Sequence, residues 1–405
     1  MAGSTINQMP AINATPKWIP PPIALETFVY AGDENEFENL LRYTKNGYHP
    51  VILGDVLLKP QTCVSDENMQ PRYRILLKLG FGAFGTVWLA RDLVEERNIS
   101  IKIRSGSATP CPSTEGRVLR WVRDNGLGCR GHDRILHFYD SFIIQGPNGF
   151  HECLVTEVVA PICELIWDRT ASRFMIQLIG DPHTGNFGIA VPHLHQLDEE
   201  IIIDFISNPE VMPVVPHDPQ FPMHTIPAYQ TPTTDITKLL AEEKALPTTA
   251  EANIKILDFG RAHWVDEPLP ELHGAVPAQI RPPEVEVYRR SAGKEGSAWS
   301  EAADVWAFAL SLCELRLEPL ISRWDDTLRS AIKFGGPAPR SWLQYCNEGT
   351  DVSLRTRDEV WSRRVKLFSK SPKDMDSLLN VVKLMVVTAP NDRCSMADVL
   401  SYLCP

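Results

Sequence analysis

Residues 73–105 read YRILLKLGFGAFGTVWLARDLVEERNISIKIRS. Within them YRILLKLG (73–80), TVWLARDL (86–93) and NISIKIRS (98–105) are short runs rich in β-branched and large apolar residues, broken by a glycine-rich and then a charged turn. That pattern predicts three strands in an antiparallel meander. The first turn sets Gly80, Gly82 and Gly85 in G-x-G-x-x-G-x-V spacing, with Phe81 and Ala83 between them and Val87 closing the motif. Without Cβ atoms, such a hairpin can lay its backbone against phosphate oxygens. A dinucleotide-binding fold would need a helix to open directly after the third glycine. Here TVWLA continues as a strand and no βαβ unit follows, which leaves a phosphate-covering hairpin or a purely structural glycine turn.

The third run carries Lys102 in the middle of an apolar strand, where an unpaired ammonium is costly to bury. Its natural partner is Glu115 in the helical run STEGRVLRWVRD, since no other Glu lies between Glu96 and Glu152. A snorkelling surface Lys and a solvated Glu are the bland alternative. Farther on, GDPHTGN spaces Asp181 and Asn186 as D-x-x-x-x-N, and IKILDFG (254–260) ends a β-like run in Asp258-Phe259-Gly260. A glycine loop, a strand Lys, a helix Glu, D-x4-N and DFG, in that order, form the parts list for phosphoryl transfer.

The rest of the chain fits an enzyme of that size. At 405 residues, 43% hydrophobic and 22% charged, it can bury a proper core. A net charge of −11 argues against broad binding of nucleic acid or anionic membrane and leaves a basic protein partner open. The 9 cysteines are scattered and never form C-x-x-C, so free thiols in a reducing compartment are expected and a zinc site is not. The N-terminus lacks the basic and apolar regions of a signal peptide, and no apolar run is long enough to span a bilayer. The expectation is a soluble, intracellular protein.

Residues 1–28 are rich in Pro, Ala, Asn and Thr and read as a tail or extended arm. From about 191 to 250 the prolines at 192, 209, 213, 216, 219, 222, 227, 232 and 247 predict mostly extended chain or loop. One helix is expected at 233–245, capped by Thr234 or Asp235. Beyond residue 300 the apolar spacing turns helical in EAADVWAFALSLCELRL, RWDDTLRSAIKF, MDSLLNVVKLMVV and SMADVLSYLC.

These motifs together resemble a eukaryotic protein kinase. Further similarities are RPPE (281–284) in the place of A-P-E, DVWAFA with Asp304 and Trp306, and NDRCSMADVL with Arg393. In kinases such residues end the activation segment, anchor the catalytic loop, and pair with the A-P-E glutamate. Upstream, YTKNGYHPVILGDVL (43–57), RYRILLKLGFGAFGTVWLARDL (72–93) and AHWV (262–265) resemble the SR protein kinases, and the Pro-rich segment sits where those kinases carry a spacer insert. The resemblance covers roughly residues 40–404. It implies an α+β, two-lobed, protein-kinase-like fold: a tail or arm over 1–40, a β-rich N-lobe over 41–157, and a mainly helical C-lobe over 158–404 with the insert at 191–250.

It also implies ATP and Mg²⁺ as cofactors, and a serine/threonine kinase acting on Arg/Ser-rich protein substrates. Gly80 to Val87 would cover the phosphates, Lys102 hold the α and β phosphates, and Glu115 orient Lys102. Asp258 and Asn186 would bind Mg²⁺, and Asp181 would take the proton of the substrate hydroxyl. LVTEVV (154–159) resembles the hinge, with Thr156 in the gatekeeper place and backbone groups of Glu157 and Val159 toward adenine. The acidic residues Asp198, Glu199, Glu200 and Asp204 could attract basic peptides or simply form a solvated loop. A monomer in cytoplasm or nucleus, without direct contact to nucleic acid or membrane, is expected.

The sequence departs from the pattern in places. Asp258 to Glu284 contains no Ser, Thr or Tyr, and Ile179-Gly180 replaces the usual H-R before Asp181. Activation by loop phosphorylation is therefore not expected, and packing by Trp264 is expected to hold the loop. His183 stands where many such kinases have a lysine that touches the γ-phosphate. Only 23 residues separate Glu157 from Asp181, whereas two ordinary helices with their turns would take roughly 35 to 45. This shortening keeps a second expectation open: an impaired pseudokinase or truncated kinase that serves as a nucleotide- or protein-binding module.

Overall fold

The computed structural model describes residues 24–161 except 34, 60, 67 and 130, then 184–205, 210–248, 251–262, 277–316, 320–321, 326–346, 356–368 and 372–403. After the two-residue strand β1 (Val56–Leu57), the expected meander appears as β2 (Tyr73–Gly82), β3 (Gly85–Asp92) and β4 (Arg97–Arg104). Helix α1 (Thr114–Asn125) follows, started by Ser113, whose side chain accepts the Gly116 amide proton at 3.0 Å. The hairpin β5 (Phe138–Gly146) and β6 (Gly149–Thr156) then completes a 6-stranded sheet in the order β1-β2-β3-β4-β6-β5, antiparallel throughout.

Alternation along β4 decides what this sheet presents. Ile99, Ile101 and Ile103 point to one face and pack with Tyr73, Trp88, Phe142 and Val155. Lys102, between them, must therefore project from the opposite face.

The strands β7 (Val159–Pro161) and β8 (Phe187–Ala190) come next along the described chain, then α2 (Glu199–Phe205), β9 (Met212–Pro213), β10 (Tyr229–Gln230), α3 (Ile236–Glu242) and β11 (Ile254–Ile256). β11, β8 and β7 pair antiparallel in that order. A parallel bridge from Ile135 to Ile256, with the Leu136 amide donating to the Ile256 carbonyl at 3.1 Å, ties this small sheet to the large one.

The Pro-rich insert has the short elements that its prolines dictate, yet it is not a solvated loop. Val191, Leu194, Ile202, Ile236, Leu239 and Leu240 are buried against Leu76, Leu77 and Leu89 of β2 and β3. It holds two helices where the sequence suggested one: α2 was not expected and forms in a stretch free of proline, and α3 starts later than expected because Asp235 is the cap, accepting the Thr237 amide proton at 2.8 Å. Farther along the sheet, Val214 and Ile226 of the insert bury Phe28, Leu40, Tyr43 and Tyr48 of the arm. From Phe28 the arm thus contributes to a packed core, and it runs past the expected boundary at residue 40 to include Tyr43 and Tyr48.

The helical part consists of α4 (Pro283–Arg290), α5 (Glu301–Arg316), α6 (Thr327–Gly335), α7 (Arg357–Phe368), α8 (Pro372–Met385) and α9 (Met396–Leu403). The apolar spacing anticipated α5, α6, α8 and α9 but neither α4 nor α7, whose charged residues break up the apolar period. Helix α5 is apolar on nearly every side and runs through the interior, with Ala303 and the residues from Val305 to Leu310 buried. Its Trp306 and Phe308 belong to one cluster with Leu119 of α1, Phe138 and Leu154 of the large sheet, and Ile256 at the end of β11. The result is an α+β fold with a β-rich first lobe and a helical second lobe joined by a continuous core. Among the described residues no helix is long and apolar enough to cross a membrane.

A buried ion pair locks the second lobe. Arg393 donates to both Glu284 oxygens at 2.8 and 3.0 Å, with side-chain exposures of 0% and 1%, and its guanidinium lies 5.1 Å from the centre of the Trp306 ring. Removing one partner of such a pair strands a charge out of water. Arg393→Ala is expected to lower the unfolding free energy by about 3–5 kcal/mol, read from denaturant titration, and a loss well under 1 kcal/mol would show that the pair is dispensable.

Candidate active site

The hairpin between β2 and β3 pairs Gly80 with Val87, Phe81 with Thr86 and Gly82 with Gly85. Gly85 has φ +148°, and a Cβ there would meet the Ile103 carbonyl oxygen at 2.2 Å, so backbone geometry alone requires glycine. Gly80 and Gly82 differ, because a Cβ at either would meet no atom of the described residues within 4 Å. They leave open space among the described residues, as a surface that receives a ligand requires. Phe81 is half-buried and Ala83 exposed.

Lys102 stands opposite Val87 on β3 and Leu154 on β6. Its Nζ lies 2.8 Å from Glu115 Oε1 and 3.2 Å from Asp258 Oδ1. Glu115 comes from the first turn of α1 and is 2% exposed. Its other oxygen accepts from Arg104 Nη1 at 2.7 Å. Arg104 is two residues beyond Lys102 on β4 and so shares its face, a signal present in the sequence that the motif pattern did not exploit.

Asp258 lies two residues beyond β11 and adopts φ +57°, a left-handed conformation in which non-glycine residues are uncommon. Phe259, buried in the inter-lobe core with Leu119, and the Gly260 amide, which donates to Asp258 Oδ1 at 3.1 Å, hold it there. Burial works to raise the carboxyl pKa of Asp258, but Lys102, the Gly260 amide and Arg104 together outweigh it and keep the group below its ordinary value. The site thus holds an ionised carboxylate beside a cation that it shares with a second carboxylate. Asn186 is buried at the entry to β8, and its carbonyl accepts the Leu257 amide proton at 2.8 Å, which places it beside the residue preceding Asp258.

The link from β6 to β7 is held equally firmly. Glu157 donates its amide to the His137 carbonyl at 2.9 Å, and its side chain accepts from the His137 amide at 2.6 Å and pairs with Lys255 of β11 at 2.9 Å. Val159 lies opposite Ala190, while the Val191 amide reaches the Val158 carbonyl at 3.4 Å. In an antiparallel ladder this makes Val159 and Ala190 a non-hydrogen-bonded pair, so the amide and carbonyl of Val159 face away from β8. The Glu157 carbonyl accepts from Thr156 Oγ1 at 3.2 Å and keeps a second lone pair.

Asp181, His183 and Trp264 lie outside the described residues, as does the shortened segment before Asp181. Sequence reasoning missed Glu286 of α4, a carboxylate gripped at 2.6–2.7 Å by Arg281, Arg289 and Arg290. Burial tends to raise its pKa, yet the hydrogen bonds from Arg289, Arg281 and Arg290 bring it down to about 2. These contacts fix the RPPE segment to the start of the helical lobe.

No family model matches the chain. Its curated relatives include SRSF protein kinase 3 of Homo sapiens, 36% identical over 129 residues, or 31% of this chain and 21% of that protein. Serine/threonine-protein kinase spk-1 of Caenorhabditis elegans is 34% identical over 139 residues, 33% of this chain and 12% of that one. Protein kinase dsk1 of Schizosaccharomyces pombe is 36% identical over 124 residues, covering 30% and 21% of the respective chains. The matched stretch therefore spans about a fifth or less of the length of these relatives.

The charge balance at Asp258 can be tested directly. With Lys102→Met, burial loses its main opponent, so the Asp258 carboxyl should titrate at a higher pH than in the unaltered protein, as followed by carbon-13 NMR of labelled aspartate. An unchanged midpoint would show that Lys102 does not set it.

Proposed function

We propose that this chain, similar in part of its sequence to SR protein kinases, is a protein kinase that transfers the γ-phosphoryl group of Mg·ATP to serine hydroxyls of Arg/Ser-rich proteins. The observation that carries the reading is the convergence of Lys102 on Glu115 and Asp258 beneath a glycine hairpin whose Gly80 and Gly82 face open space. Glu115 and Arg104 hold the ammonium in place, so that it meets the α and β phosphates at little cost in reorganisation. The hairpin amides would follow the phosphate chain, and the Glu157 carbonyl with the outward amide and carbonyl of Val159 would receive the adenine edge.

The donor types suit a hard divalent cation: Asp258 would supply an ionised oxygen and Asn186 a neutral amide oxygen to hold Mg²⁺. When bound, the ion spreads and neutralises charge on the phosphates. Asp181 takes the serine proton as the bond from serine Oγ to the γ-phosphorus forms and the bond to the β-phosphate oxygen breaks, leaving ADP. The acidic net charge of −11 favours a basic substrate.

The direct test is transfer of labelled phosphate from Mg·ATP to an Arg/Ser-repeat peptide by the full chain, with Asp181→Asn as control. Transfer that falls at least 100-fold in the control is expected of a general base. Binding of Mg·ATP without transfer would leave a nucleotide-binding module, the second reading, which the short segment between Glu157 and Asp181 favours.

A further inference from the structure

The N-terminal arm and the Pro-rich insert both meet the glycine hairpin at its root, and the arm also reaches its tip. At the root, Lys78 of β2 lies two residues before Gly80 and is 1% exposed. Its Nζ contacts Glu38 Oε2 of the arm at 2.5 Å and donates to the Thr231 carbonyl of the insert at 3.0 Å. Its own carbonyl accepts from the Thr234 amide at 2.8 Å. Tyr43 Oη donates to the other oxygen of Glu38 at 2.6 Å, and Gln230 Nε2 donates to the Glu38 carbonyl. At the tip, the hydroxyl of buried Tyr48 donates to the Gly82 carbonyl at 2.5 Å.

The insert holds the arm in this position. Asn148, buried at the turn between β5 and β6, uses one amide group to reach both the Tyr48 carbonyl at 2.7 Å and the Thr225 carbonyl at 2.8 Å. The arm and insert also exchange backbone bonds, Val29 to Val215 and His217 to Thr27, each at 3.0 Å, and Phe28 packs edge-on against Phe221.

A glycine hairpin is intrinsically loose, because glycine has the most conformational freedom to lose on ordering. We propose that the arm and insert form a strap that orders the glycine hairpin, with Tyr48 as a positioning residue for nucleotide binding through its hydrogen bond to Gly82. The inference rests on the nucleotide-binding reading above and deepens it. By fixing the Gly82 carbonyl in the free protein, Tyr48 lowers the ordering cost that the nucleotide would otherwise meet. Tyr48 acts through the Gly82 carbonyl, so its effect is expected on nucleotide affinity and not on the chemical step.

The test compares the unaltered full chain with Tyr48→Phe, which deletes the hydroxyl and keeps the ring. The readouts are Kd for Mg·ATP by calorimetry, KM for ATP, KM for an Arg/Ser peptide, kcat, and amide hydrogen exchange over residues 81–84. Loss of one ordering hydrogen bond should raise Kd and KM for ATP about three- to tenfold, with kcat and peptide KM unchanged and exchange over 81–84 faster. A second variant, Lys78→Met with Glu38→Gln, removes the root contact without stranding a charge and should shift nucleotide affinity in the same direction. Unchanged nucleotide affinity in Tyr48→Phe overturns the inference alone, as does a loss of kcat or thermal stability at constant affinity. Failure of the unaltered protein to bind Mg·ATP overturns the nucleotide-binding reading and this inference with it, and because Kd is read separately from turnover, a chain that binds without transferring still decides the role of Tyr48.

Discussion

A lysine in the middle of an apolar strand needs a counter-charge, and the structure is arranged around supplying it. Lys102 sits between isoleucines that pack on the far face of the sheet, so its ammonium can only emerge toward α1 and β11. There it finds Glu115 at 2.8 Å and Asp258 at 3.2 Å. Two carboxylates around one ammonium leave a local excess of negative charge, which Arg104 offsets at Glu115. The carboxylate of Asp258 is left as the accessible anion, with a side-chain exposure of 35% against 3% for Glu115. Placing these groups within hydrogen-bond distance requires the sheet, α1 and β11 to hold one relative position. The core that runs from Leu119 through Phe259 to Trp306 does so.

The same logic extends to the periphery. In β2, Lys78 is fully buried among the apolar residues of the sheet and is likewise satisfied from outside its own strand, by Glu38 of the arm and a carbonyl of the insert. Burial pushes its pKa down while Glu38 pulls it back. Two segments distant in sequence are thereby committed to one place against the sheet. An insert with so many prolines makes few internal ladder bonds, so its order comes from side chains buried on the first lobe.

How much of this was legible in the sequence follows from the range of each interaction. The meander was readable because its strands are local, with β-branched alternation and glycine turns. The pairing of Lys102 with Glu115 followed from the cost of burying an ammonium and the scarcity of nearby acids. The pairing of Arg393 with Glu284, 109 residues apart, came only from resemblance. The burial of Val214, Ile226, Tyr43 and Tyr48 was not readable, since isolated apolar residues among prolines carry no period to say what they face. Nor was the grip of Arg281, Arg289 and Arg290 on Glu286, because a charge run on a helix usually means a solvated face. Asp258 was found as part of a motif, but its left-handed backbone is set by tertiary packing.

The central claim is that Lys102, Glu115 and Asp258 form a site for a nucleotide triphosphate with its divalent cation. Calorimetric titration of ATP into the full chain, with and without Mg²⁺, and repeated on Asp258→Asn, tests it most directly. Saturable binding to the unaltered chain that is strengthened by Mg²⁺, with the Mg²⁺-dependent part lost in Asp258→Asn, is the expected result. Absence of binding by a folded sample, or binding indifferent to both Mg²⁺ and Asp258, would contradict it.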